Sequence, residues 1–174
     1  PSGYYVYEMN GTDVKWRLKP TGKDFKHMFR TYDRNQIALT GASFTPSANA
    51  SNSAGFEKTA SHWVAGSSEN YVYINVFDYD PSWKIEVKEN GNVLKHEVVK
   101  TKDPLHLVSY EAKRYNENKV PTSSFNAYTI SSHMFRVKAS SPTSTLEITV
   151  TDRFGNTATE SMKRPKSFSI NAYK

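Results

Sequence analysis

Short runs in which aromatic and β-branched residues alternate with polar ones dominate this chain, and a period of two sends successive side chains to opposite faces of a strand. Residues 83–89 (WKIEVKE) alternate cleanly, so Trp83, Ile85 and Val87 should face a core while the charged residues face water. Asn90-Gly91 follows, the strongest short hairpin signal, because both central positions of a type I′ turn need positive φ. A return strand is expected over residues 93–100. Residues 71–77 (YVYINVF) are apolar on both faces, as a central strand covered on two sides would be. A second hairpin is expected from residues 145–151, with Leu146, Ile148 and Val150 inward, through the turn residues 152–156 to a strand at 157–162. Weaker strand candidates lie at 4–7, 14–18, 28–32, 105–110 and 134–138, and no helix of ten or more residues is expected.

These short strands, punctuated by turn residues, predict an all-β fold: an antiparallel β-sandwich of the immunoglobulin or fibronectin kind. Residues 41–61 are rich in Ser, Ala and Asn, with Phe44 and Phe56 the only large apolar residues before the end of the run. Such a segment predicts a long loop. The organisation expected is a single domain over 1–174, with N-terminal strands in 1–40, a loop or insertion in 41–68 and the main sandwich in 69–174. Forty residues without cysteine or metal rarely fold alone, which argues against a separate N-terminal unit.

Composition removes several chemistries. The 174 residues contain no Cys, which excludes disulfide scaffolds, zinc fingers, iron–sulfur clusters and thiol catalysis. The longest apolar runs are only a few residues, so no membrane-spanning helix is expected. The net charge of +6 permits an anionic partner. Its carriers are dispersed, however: Lys84, Lys88, Lys95, Lys100 and Lys102 are interleaved with Glu86, Glu89 and Glu97. No basic face of the kind nucleic acid needs is visible, so no nucleic-acid partner is expected. The chain opens on Pro1 without an initiator Met and reads as part of a longer polypeptide.

Candidate reactive residues have ordinary readings. None of the pairs among His27, His62, His96, His106 and His133 has the i, i+2 or i, i+4 spacing that puts two imidazoles on one metal. Asp78 and Asp80 form an i, i+2 carboxylate pair, but Ca²⁺ wants more oxygens, and turn capping before Pro81 is the stronger reading. No G-x-S-x-G nucleophile elbow is present. Trp16, Trp63, Tyr79 and Trp83 are the aromatics that a sugar-binding sandwich would use. Trp63 and Tyr79, near expected loops, are the ligand-stacking candidates, while Trp83 belongs to a core-facing strand.

The segments NYVYINVFDYDPSWKIEVKENGNVL (70–94), KDPLH (102–106), TISSHMFRVKASSP (129–142), TLEITVTDRFGN (145–156) and MKRPKSF (162–168) follow one another in an order and spacing that carries a resemblance. So does the opening GYYVYEMNGTDVKWRLKP (3–20), where a YY strand leads to a W-x-x-K-P turn. The chain resembles the C-terminal domain that follows the catalytic domain in bacterial calcineurin-like metallophosphoesterases. The likeness covers nearly the whole chain and is poorest over 41–61.

That resemblance implies a secreted or periplasmic protein in which this module follows a phosphoesterase domain holding two divalent metals. The D-x-H, G-D, G-N-H-E and G-H-x-H motifs of such a domain are not in this sequence, so no catalytic, metal or cofactor residue is assigned here and the chain alone is not expected to be an enzyme. The expected partner is the upstream catalytic domain, and the expected location is the periplasm or outside the cell. Asp103, His106, His133, Arg153 and Arg164 recur in the matching segments at strand ends and turns. They are the candidates for a domain-docking or substrate-framing edge, against local capping as the plainer role. The alternative function is a carbohydrate-binding or cell-surface adhesion module with a glycan as partner.

Overall fold

The computed structural model describes residues 2–120 and 131–173. Pro1, and Thr129 and Ile130 of the matching segment, lie outside the described residues. Three antiparallel sheets form: a two-stranded ribbon of β1 (Gly3–Asn10) and β2 (Asp13–Pro20), and two four-stranded sheets. One of these has the order β3 (Phe29–Asp33), β4 (Tyr71–Val76), β8 (Met134–Lys138), β7 (His96–Val98). The other has the order β10 (Thr157–Met162), β9 (Leu146–Thr151), β5 (Lys84–Glu89), β6 (Asn92–Val93).

The two larger sheets share one core, so an antiparallel β-sandwich forms, as expected of the fold class. Val72, Ile74, Val76 and Val137 from the first sheet meet Val87, Leu146, Ile148, Val150, Ala158 and Met162 from the second. Register follows the sequence pattern, since Val72 stands opposite Val137 and Val87 opposite Ile148. Each such aliphatic side chain taken from water stabilises the fold by about 1.5–3 kcal/mol. Asn90 and Gly91 both have positive φ, +50° and +82°, closing the β5–β6 hairpin as their types predict.

Three expectations are corrected. Residues 41–61 are not a loop: they form α1 (Gly41–Phe44), α2 (Ala50–Thr59) and the start of α3 (Ser61–Val64). Residues 105–110 are not a strand. There α4 (Pro104–His106) continues through a π-helical stretch (Leu107–Glu111) into α5 (Ala112–Asn116). Leu105, Val108, Ala112 and Tyr115 are its buried stripe, at intervals of three, four and three, and Asp103 caps its start by accepting from the amides of Leu105 and His106 at 2.7 and 3.0 Å. Finally, the strand expected over 93–100 breaks near Leu94, so that β6 pairs in one sheet and β7 in the other.

The helices cover the outer face of the first sheet. Phe56, Trp63, Leu105, Leu107 and Tyr115 pack with Tyr32, Tyr73 and Met134 of its strands into a second core. This explains the doubly apolar β4: Val72, Ile74 and Val76 face the sandwich interior, while Tyr73 faces the helical layer.

Candidate functional site

The β1–β2 ribbon folds back against one end of the sandwich, and a cleft of about 150 Å³ opens along this junction. Trp16, Arg17 and Leu18 enter from β2, and Phe25, His27 and Met28 from the link to β3. Phe77, Asp78, Tyr79 and Asp80 come from the end of β4, Trp83 from just before β5, and Asp152, Arg153 and Phe154 from the β9–β10 turn.

Each wall has a local cause. The β9–β10 turn is built around Asp152, whose carboxylate accepts from the amides of Phe154 and Asn156 and from the Asn156 side chain at 2.7–2.9 Å. That arrangement aims Phe154 at Trp16, edge to face with centroids 5.0 Å apart. Asp78 adopts φ +58°, a left-handed conformation that Asp and Asn reach more readily than bulkier residues, and turns its carboxylate toward the ribbon. Tyr5 donates to it at 2.5 Å, and that hydrogen bond, with burial adding, pushes the Tyr5 phenol up to about 12. Arg153 donates to Asp80, whose carboxyl is held well below the usual range by this bond and by the hydroxyl and amide of Ser82. Arg153 also lies over Trp16 at 5.3 Å, and Arg17 lies over Phe25 at 4.4 Å while donating to Asn156 at 3.3 Å. His27 is shifted below the ordinary histidine value chiefly by burial, and its Nε2 is buried without a hydrogen-bond partner.

The residues singled out from the sequence fall into different surroundings. Arg153 and Tyr79 belong to the cleft, with Tyr79 edge-on to Phe135 at 4.8 Å. Trp63 does not offer a stacking face: it is fully buried under the helices, and its indole N–H donates to the Lys102 carbonyl at 2.9 Å. Asp103 caps α4, accepts from Tyr32 at 2.8 Å and accepts from Asn75, whose side-chain carbonyl in turn lies 2.9 Å from Nδ1 of His133. His106 is exposed and stacks on Tyr110. Arg164 lies in the interior, paired with Asp33 at 3.0 Å with both side chains at 0% exposure. Of the five residues, Asp103 and His133 are thus joined through Asn75, and the His106 amide donates to Asp103, whereas Arg153 and Arg164 lie in other surroundings. The sequence reading missed Phe25, His27 and Phe154, which the folded-back ribbon brings together with Trp16 and Trp83.

A second surface is defined by what it leaves open. Among the described residues β1 pairs with β2 alone, which leaves the backbone groups of its outer edge without a strand partner there, and Tyr4, Tyr7 and Met9 on it are 59%, 58% and 74% exposed. No three His, Asp or Glu side chains come together as a metal site among the described residues. Among them, too, no helix is long and apolar enough to cross a membrane.

The fold is thus a β-sandwich with a helical layer on one sheet, a cleft lined by aromatic residues at one end and a two-stranded ribbon. Over residues 1–157 the chain matches the family model described as the C terminal of calcineurin-like phosphoesterase, and it belongs to that family. No curated protein and no solved structure matches it.

Proposed function

We propose that this chain is a non-catalytic accessory domain of a secreted or periplasmic metal-dependent phosphoesterase, packing on the upstream catalytic domain through the β1–β2 ribbon. Family membership supports a phosphoesterase parent, whose two metals would lie in the catalytic domain. The observation that carries the docking role is the ribbon itself: an eight-residue strand with an unpaired edge and exposed Tyr4, Tyr7 and Met9. An open strand with large apolar side chains promotes self-association unless something covers it.

The test has two arms. The isolated chain should show no turnover of p-nitrophenyl phosphate with or without Mn²⁺ or Zn²⁺, and turnover that survives rigorous removal of contaminating phosphatases would overturn the non-catalytic reading. In the polypeptide that carries the catalytic domain, Tyr4→Thr, Tyr7→Thr and Met9→Thr together should lower the melting temperature of that domain. The same changes should leave the isolated chain nearly unaltered, because Thr keeps strand propensity and the replaced side chains face solvent. An unchanged catalytic-domain melt would contradict docking through the ribbon.

A further inference from the structure

We propose that the cleft between the β1–β2 ribbon and the end of the sandwich binds a single neutral sugar ring. This site goes beyond the docking role, although the ribbon that would dock through its β1 edge also supplies Trp16, Arg17 and Leu18 to the cleft.

Size comes first. Drug-sized ligands occupy pockets of about 300–1,000 Å³, and about 150 Å³ leaves room for one ring and not for an extended chain. Wall chemistry comes second. Trp16, Tyr79, Trp83 and Phe154 line the cleft and are each only partly buried. The accessible parts of Tyr79, Trp83 and Phe154 give apolar surface for the C–H face of a pyranose, and Trp16 beside them carries Arg153 over its ring.

Charge then selects among small ligands. Asp78, Asp80 and Asp152 stand against Arg17 and Arg153, and both guanidiniums are engaged, Arg153 by Asp80 and Arg17 by Asn156. An anion such as phosphate would meet more carboxylate than free guanidinium. An organic cation would have to displace Arg17 and Arg153, which already lie over Phe25 and Trp16 and carry the same charge. A hydroxyl both donates and accepts, so it suits a rim of carboxylates and guanidiniums together.

The experiment uses the 174-residue chain and a panel of methyl pyranosides of gluco, galacto, manno and N-acetylglucosamine configuration. Binding is read by tryptophan fluorescence and by saturation-transfer NMR. At least one glycoside should bind saturably, and inorganic phosphate and tetramethylammonium should not displace it. Asp78→Asn keeps a residue that tolerates left-handed backbone and still accepts from Tyr5, yet removes the charge that strengthens a hydroxyl contact. It should weaken binding by about tenfold. Trp16→Ala, on the ribbon and away from the sandwich core, is the second variant and should abolish the fluorescence response to that glycoside. Absence of saturable binding across the panel, displacement by phosphate or tetramethylammonium, or unchanged affinity in both variants would overturn the proposal.

Discussion

Replacing Arg164 by Leu tests whether one of the strongest polar contacts in the molecule is architectural. Arg164 and Asp33 pair at 3.0 Å with both side chains fully out of solvent, and Arg164 also donates to the Ser141 carbonyl at 2.7 Å. Removing one member of a buried pair costs about 3–5 kcal/mol, since the remaining charge has neither water nor partner. Asp33 would keep the amides of Asn35 and Lys166, each at 3.2 Å, which places the loss at the low end, about 3 kcal/mol. In a domain of this size that corresponds to a fall in melting temperature of about 6–12 °C. Urea unfolding of the isolated chain, followed by circular dichroism, measures the loss directly. The exposed pair Lys88–Glu86, with 41% and 51% of the side chains accessible, is the control: Lys88→Ala should change stability by less than about 1 kcal/mol. Asp33→Asn in the Arg164→Leu background should recover part of the loss, because it removes the stranded charge. A cost for Arg164→Leu no larger than that of Lys88→Ala would refute this reasoning.

Two further expectations concern pH and packing. His27, His62, His96 and His133 all have their pKa lowered below the ordinary 6.5, with burial the largest cause. The unfolded chain therefore takes up protons first, so the melting temperature should hold above about pH 6.5 and fall as pH drops from there towards the folded-state values; a flat profile between about pH 7 and 5 would contradict it. In α2, Gly55 faces Tyr115 so closely that an added Cβ would lie 2.9 Å from the ring. Gly55→Ala should destabilise by about 1 kcal/mol in urea unfolding, although helix propensity alone predicts a gain of similar size.

The β half of the fold was legible in the sequence because its signals are local. Val87, Ile148 and Val150 alternate with polar neighbours, and Asn90-Gly91 names its own turn. The helical layer escaped notice for two physical reasons. In α2 the only fully buried side chain is Phe56, so the Ser, Ala and Asn around it carry no apolar stripe, and its start is marked only by the Asn49 cap. The helical run after Asp103 does carry a stripe, Leu105, Val108, Ala112 and Tyr115, preceded by an Asp cap and a Pro in the first turn. Those signals were available, but the interleaved Leu107 and Tyr110 let the first residues pass for a strand. The cleft was legible only in part. Trp16, Tyr79 and Trp83 stand out by type, whereas Phe25, His27 and Phe154 join them only through folding, as His27 against Phe77 and Phe154 against Trp16 show. Trp63 misled because a Trp beside small polar residues reads as exposed until the helices that bury it are in view.

Docking of the β1–β2 ribbon on the catalytic domain is tested most directly by amide hydrogen exchange. The measurement compares residues 3–20 in the isolated chain with the same residues in the polypeptide that carries the catalytic domain upstream. The outward-facing amides of β1, which have no strand partner in this structure, should exchange rapidly in the isolated chain and become strongly protected in the longer one. Equal exchange of β1 in the two proteins would contradict the account.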